Sequence, residues 1–180
     1  YLDVDGDGIP YRTLPATHPN KGAYFTRGTT RNAYAKYSEV GSDYIYNMER
    51  LRRKQDTART LVPAPVLHAA SQPTRYGVIH YGSTSPAMAE ALALMEAEGV
   101  HVDALRVRGF PFSAEVDAFI EAHDLVFVVE QNESAQLRQL LINEGDLNPK
   151  KLVRVLHYDG TPITARFIAG AIAEVVDDRK

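Results

Sequence analysis

LVFVVEQNESAQLRQLL, Leu125–Leu141, is the stretch that decides the fold. Its first five residues are an unbroken β-branched and aromatic run. A strand with one wet face would alternate apolar and polar side chains, so this one is expected to be covered on both faces. Polarity switches at once to Glu130, Gln131, Asn132 and Glu133. Ser134 or Asn132 can then cap a helix whose apolar positions are Leu137, Leu140 and Leu141, at i, i+3 and i+4. Gly145 follows as a left-handed residue that would end it. A buried strand that feeds a helix through a polar turn is the unit of an open parallel sheet. Ligands and partners gather at the C-terminal strand ends of such sheets, which singles out Glu130, Gln131 and Asn132.

The same unit recurs on both sides. Upstream, Tyr76–Tyr81 reads as a strand, turned by Gly82, Ser83, Thr84 and Ser85 into a helix. That helix is expected to open with Pro86 at its first position, with Met88, Ala91, Leu92 and Met95 as its stripe and Gly99 at its end. Residues 102–107 read as the next strand, and Ser113 caps a helix bearing Val116, Phe119 and Ile120. Downstream, Leu152–Leu156 is a further apolar strand, and Thr164 caps a last helix bearing Phe167, Ile168, Ala171, Ile172 and Val175. Strand and helix alternate four times, which predicts an α/β, doubly wound, mainly parallel open sheet over residues 75–180.

The first part of the chain is different. Residues 1 to about 41 have almost no apolar period. They are rich in turn formers and in aromatics (Tyr1, Tyr11, Tyr24, Phe25, Tyr34 and Tyr37) that need a surface to pack on. A helix follows from Ser42, with Tyr44, Met48, Leu51, Gln55 and Ala58 as its expected stripe. Arg50, Arg52, Arg53 and Lys54 are interleaved with Glu49 and Asp56, the pattern of a solvated face. Residues 63–74, with three prolines, read as a linker. Tyr1 opens the chain where a Met is usual and is followed at once by a dense motif, so the sequence is expected to be a piece of a longer one.

Composition excludes several functions. Cysteine is absent, so this chain can form no disulfide and ligate no iron–sulfur cluster. Cytoplasmic residence is expected. The net charge of −3, without a long block of one sign, gives no reason to expect nucleic acid. No apolar run reaches the roughly 20 residues of a membrane helix.

Three clusters could carry chemistry. Asp3, Asp5 and Asp7 alternate before Gly8 as in the first half of a calcium loop, although a full loop would place an acid where Leu14 stands. Asp side chains in such turns also bond their own backbone. Gly82, Ser83, Thr84 and Ser85 precede a helix N-terminus and could hold an anion, or simply cap the helix. Glu130, with Gln131 and Asn132, is either a ligand or partner contact or a group that ties neighbouring loops together. The six histidines (18, 68, 80, 101, 123 and 157) lack metal-type spacing and are expected to be structural.

Gly8–Pro15, then Thr17–Pro19 and Lys21–Gly28, is similar to the α subunit of 2-oxoacid:ferredoxin oxidoreductases. Val129–Asn132 with Gln136 and Leu137, and Tyr158–Thr164, resemble the C-terminal domain of the same family, a transketolase C-terminal-like fold. Ala16 is a departure, standing where relatives tend to carry Gly. The resemblance implies thiamine-diphosphate-dependent oxidative decarboxylation of a 2-oxoacid to an acyl-CoA, with electrons passed to ferredoxin, and the 2-oxoglutarate branch fits best. It implies Mg²⁺, coenzyme A and iron–sulfur clusters in the full complex, and partners in a β subunit and in upstream domains of the same subunit. Residues 1–62 would be the tail of a pyrimidine-binding domain, 63–74 a linker, and 75–180 the transketolase-C-like domain. No catalytic residue is expected here, and the chain alone is expected to be inactive. The alternatives are a non-enzymatic interaction module and a small anion- or nucleotide-binding domain.

Overall fold

The computed structural model describes residues 1–22, 28–145 and 147–178. Two compact units make up the chain, Tyr1–Leu61 and Val62–Lys180.

The larger unit is a five-stranded sheet. Its strands are β1 (Val66–His68), β2 (Tyr76–Tyr81), β3 (Asp103–Val107), β4 (Leu125–Glu130) and β5 (Leu152–Leu156), in the spatial order β1-β3-β2-β4-β5. β2, β3, β4 and β5 are mutually parallel, and β1 is antiparallel to β3, with Val66 opposite Arg106. The helices are α2 (Ser85–Ala97), α3 (Ala114–Ala122), α4 (Gln136–Gly145) and α5 (Ala165–Asp177). On one face Val78, Ala104, Phe127 and Val155 pack with Met88 and Met95 of α2 and Ile168 and Ile172 of α5. On the other, Ile79, Leu105, Val126 and Val128 pack with Phe119 and Ile120 of α3 and Leu141 of α4. The sheet is doubly wound, as expected. β4 is its centre, and all six of its residues are buried. Each large side chain fully buried there stabilises by about 1.5–3 kcal/mol.

Helix ends follow local chemistry where a local group is free. Gly99 adopts φ +75. The Val100 N–H reaches back to the Met95 carbonyl at 2.9 Å, and Val100 and Met95 share one core, the pattern of a Schellman end. Thr164 accepts from the Phe167 N–H and caps α5.

Several expectations are corrected. Residues 63–74, expected to be a linker, contain β1, because three of their residues complete the open edge of β3. Gly145 is the last residue of α4 and is not among the left-handed glycines. Ser113 precedes α3 but makes no capping hydrogen bond.

The smaller unit is α1 (Gly41–Leu61) with an irregular arm. Here the polar face holds the arm, and the expected apolar stripe does not. Asn47 and Arg50 are the buried residues of α1, whereas Tyr44, Met48 and Leu51 are more than 40% exposed. Asn47 donates to Thr30 Oγ1 and the Arg31 carbonyl, and Arg50 Nη1 donates to the Gly8 carbonyl at 2.9 Å. Arg50 is therefore not on a solvated face. An irregular arm offers backbone carbonyls more readily than apolar surface, so donors are what it selects on the helix. Tyr11, Tyr34 and Tyr37 are exposed, and Tyr24 and Phe25 lie outside the described residues, as does Ala23–Arg27 of the first family-like motif.

Candidate functional site

Glu130 ends β4 on the side of the sheet that Val126 and Val128 share with α4, and it is fully buried. The residue before α4 is Ala135, with φ +53 and no side-chain oxygen to offer the helix. Glu130 supplies that acceptor from seven residues upstream. Its Oε2 accepts from the Leu137 N–H at 2.6 Å and its Oε1 from the Arg138 N–H at 2.9 Å. Asn132 completes the cap, donating to Glu130 Oε2 at 2.8 Å and accepting from the Gln136 N–H at 3.1 Å. A carboxylate here meets the orphan N–H groups and the positive end of the helix together. Ser134 bonds Glu133 instead of capping α4.

Gln131 points the other way. Its amide donates to Ser83 Oγ at 3.0 Å and Thr84 Oγ1 at 3.2 Å. Two segments that are far apart in sequence, Gly82–Ser85 and Glu130–Asn132, thus meet across the C-terminal ends of β2 and β4. This is where the strand order reverses, the topological switch point. Ser85 donates inward to the Gly82 carbonyl at 2.9 Å. The hydroxyls of this turn are therefore engaged within the fold.

Asp3, Asp5 and Asp7 also come together, with one carboxylate oxygen of each within 4.8 Å of the others. Asp3 accepts from Arg53 Nη2 at 3.0 Å and from the Gly8 N–H at 3.0 Å, and Asp7 from the Ile9 N–H at 2.7 Å. Hydrogen bonding from Arg53 is the main reason that the Asp3 carboxyl lies below its ordinary range. Asp5 accepts from the Tyr11 hydroxyl at 3.3 Å.

Sequence reasoning missed Arg138, and it gave His123 as structural without its partners; both lock strand ends to helices. Arg138 donates from Nε to the Leu152 carbonyl and from Nη2 to the Pro149 carbonyl, which ties α4 to β5. His123 joins the Phe119 carbonyl to Asp103, whose other oxygen accepts from the Ala70 N–H. Neither residue belongs to a motif, and nothing local marks it. His80 lies buried in β2 with both ring nitrogens unpartnered. Burial first, then the charge of Arg106 and then His68, lower its pKa to about 4.

No family model matches the chain. Over 114 residues, 62% of its length, it is 30% identical to 2-oxoacid:ferredoxin oxidoreductase 2 subunit alpha of Aeropyrum pernix. The fold matches 2-oxoglutarate:ferredoxin oxidoreductase from Magnetococcus marinus, solved with 2-oxoglutarate, coenzyme A and succinyl-CoA bound. That match has a TM-score of 0.78 at 22% identity and covers 93% of this chain. The chain spans 17% of the length of the Aeropyrum oxidoreductase subunit and 29% of the Magnetococcus chain. Split-gene transketolase, as an inactive β4 tetramer, aligns over 59% of the chain and 40% of its own length at a TM-score of 0.49 and 17% identity. Among the described residues no helix is long and apolar enough to cross a membrane.

Proposed function

We propose that this chain is the C-terminal part of the α subunit of a thiamine-diphosphate-dependent 2-oxoacid:ferredoxin oxidoreductase. It acts in the cytoplasm, with 2-oxoglutarate as the 2-oxoacid, and serves assembly and active-site support. Residues 1–62 are the tail of a pyrimidine-binding domain and 75–180 the transketolase-C-like domain. The partners are a β subunit, the upstream domains of the same subunit, and ferredoxin. Similarity to the Aeropyrum subunit supports the enzyme class.

One observation carries the assembly role. Glu130, the carboxylate at the strand end where chemistry is most often sited, is closed off and already accepts from three donors of its own loop and helix. It does not fit the task of activating a thiamine cofactor, which needs a carboxylate facing the cofactor. With no cysteine, iron–sulfur ligation belongs to partner chains or ferredoxin. Thiamine diphosphate, Mg²⁺ and coenzyme A are accordingly assigned to the whole complex and not to this chain.

The test is reconstitution. Dye or ferredoxin reduction should depend on 2-oxoglutarate, coenzyme A and thiamine diphosphate only when the full α and β subunits are assembled. The chain alone should bind no thiamine diphosphate in calorimetry. Tight binding by the chain alone would overturn the assignment, as would a strong preference for another 2-oxoacid overturn its substrate.

A further inference from the structure

A cavity of about 760 Å³ opens at the C-terminal ends of β2 and β3, beside the turn bridged by Gln131. It lies wholly within the larger unit, and the assembly role above makes no use of it. Its apolar lining consists of the buried Val107, Phe112 and Leu137 together with Phe110 and Leu140. Phe110, one of the lining residues, is 48% exposed, a large aromatic ring left in water. The size lies within the roughly 300–1,000 Å³ typical of small-molecule sites.

The polar lining has one sign. Arg106 and Arg108 contribute to it, and no carboxylate does. Arg108 is anchored by its Nε, which donates to the Ala64 carbonyl at 2.7 Å. Among the described residues its terminal nitrogens have no hydrogen-bond or ion-pair partner, and neither has the Gln136 side-chain amide. A guanidinium fixed at one edge and open at the other is set to receive a carboxylate or phosphate, with little further ordering to lose. Apolar walls below such a group require the rest of the ligand to be apolar.

We infer that this cavity binds a small amphipathic organic anion, with its anionic head on Arg108 at the rim and its apolar body against Phe110, Phe112 and Leu140. The head is carboxylate or phosphate, and the two are distinguished by titration.

The experiment uses the 180-residue chain, with naphthalene-2-carboxylate, 2-naphthyl phosphate and neutral 2-naphthylmethanol as probes in calorimetry and amide NMR. Saturable binding of one or both anions is expected, at least about tenfold tighter than the alcohol. Shifts should centre on Gly82, Gly109 and Gln136. Arg108→Gln should weaken anion binding about tenfold and leave the alcohol unchanged. Leu140→Trp, which fills the cavity, should abolish binding of all three, and it decides the matter if Arg108→Gln does not fold. Equal affinity for anion and alcohol would overturn the inference, and so would shifts centred elsewhere or binding that survives Leu140→Trp. Failure of all three probes to bind, or protection of the Gly109 amide by a second copy of the chain, would overturn it too. None of these outcomes depends on oxidoreductase activity.

Discussion

Removing the Glu130 carboxylate takes the acceptor from two backbone N–H groups and from Asn132 at a point that water does not reach. Each buried donor left without an acceptor costs about 1–3 kcal/mol. Glu130→Ala should therefore lower stability in urea unfolding by about 3 kcal/mol or more. In the proposed complete oxidoreductase its turnover should track the fraction that remains folded and assembled. A large loss of turnover at unchanged assembly would restore Glu130 to the chemistry. His80 makes a prediction of opposite character. Its folded pKa, about 4, lies below the ordinary 6.5, so between these values the unfolded chain takes up a proton that the folded chain refuses. Stability should be full above pH 6.5 and fall by up to about 3 kcal/mol as pH drops toward 4. In His80→Leu that slope should flatten with no loss at pH 7, because the ring nitrogens have no partners to lose. An unchanged acid slope in the variant would refute this.

Among the elements, the turn at Ala16 is the plainest case of a local rule broken. Ala16 sits at φ +68, a conformation that glycine adopts without strain and alanine does not. The family-like pattern around it favours Gly at this place, and the backbone keeps the glycine conformation. Ala16→Gly should slow amide exchange in residues 14–22 and raise the local opening energy by about 0.5–1 kcal/mol. Gly8 makes the converse case. A Cβ there would lie 2.3 Å from the Lys54 backbone nitrogen, and Gly8 also adopts φ +82. Gly8→Ala should lift the Asp-rich loop from α1, release the Asp3–Arg53 pair and expose residues 1–12 to limited proteolysis. Proteolysis at the wild-type rate would show that the loop is held some other way.

For the molecule as a whole, the exposed apolar side chains have a bearing on assembly. Tyr44, Ile45 and Met48 of α1 are all exposed, although their spacing is that of a buried stripe. If residues 1–62 are the tail of a larger domain, that surface is covered in the assembled subunit. Serine at these three positions should leave the melting temperature of the isolated chain within about 2 °C. It should also reduce incorporation into the proposed α–β complex, read by size-exclusion chromatography. Equal incorporation would count against the proposed domain assignment.

The continuous apolar run of β4, the switch to polar residues at Glu130 and the fourfold alternation of strand and helix were sufficient for the doubly wound sheet. A short unbroken apolar run bounded by polar turn residues is the pattern expected of a strand covered on both faces. Gly99 and Thr164 were legible for the same reason, because each acts on residues within five positions of itself. Tertiary structure alone decided what the strand-end residues do. It brought α4 back over the end of β4, so that Glu130 became a helix cap. It laid Gln131 against Ser83 and Thr84, added β1 to the open edge of β3, and turned Arg50 inward onto the carbonyl of Gly8. In each case the partner is seven or more residues away. A hydrogen bond closes only when the chain has already folded to bring the donor to the acceptor.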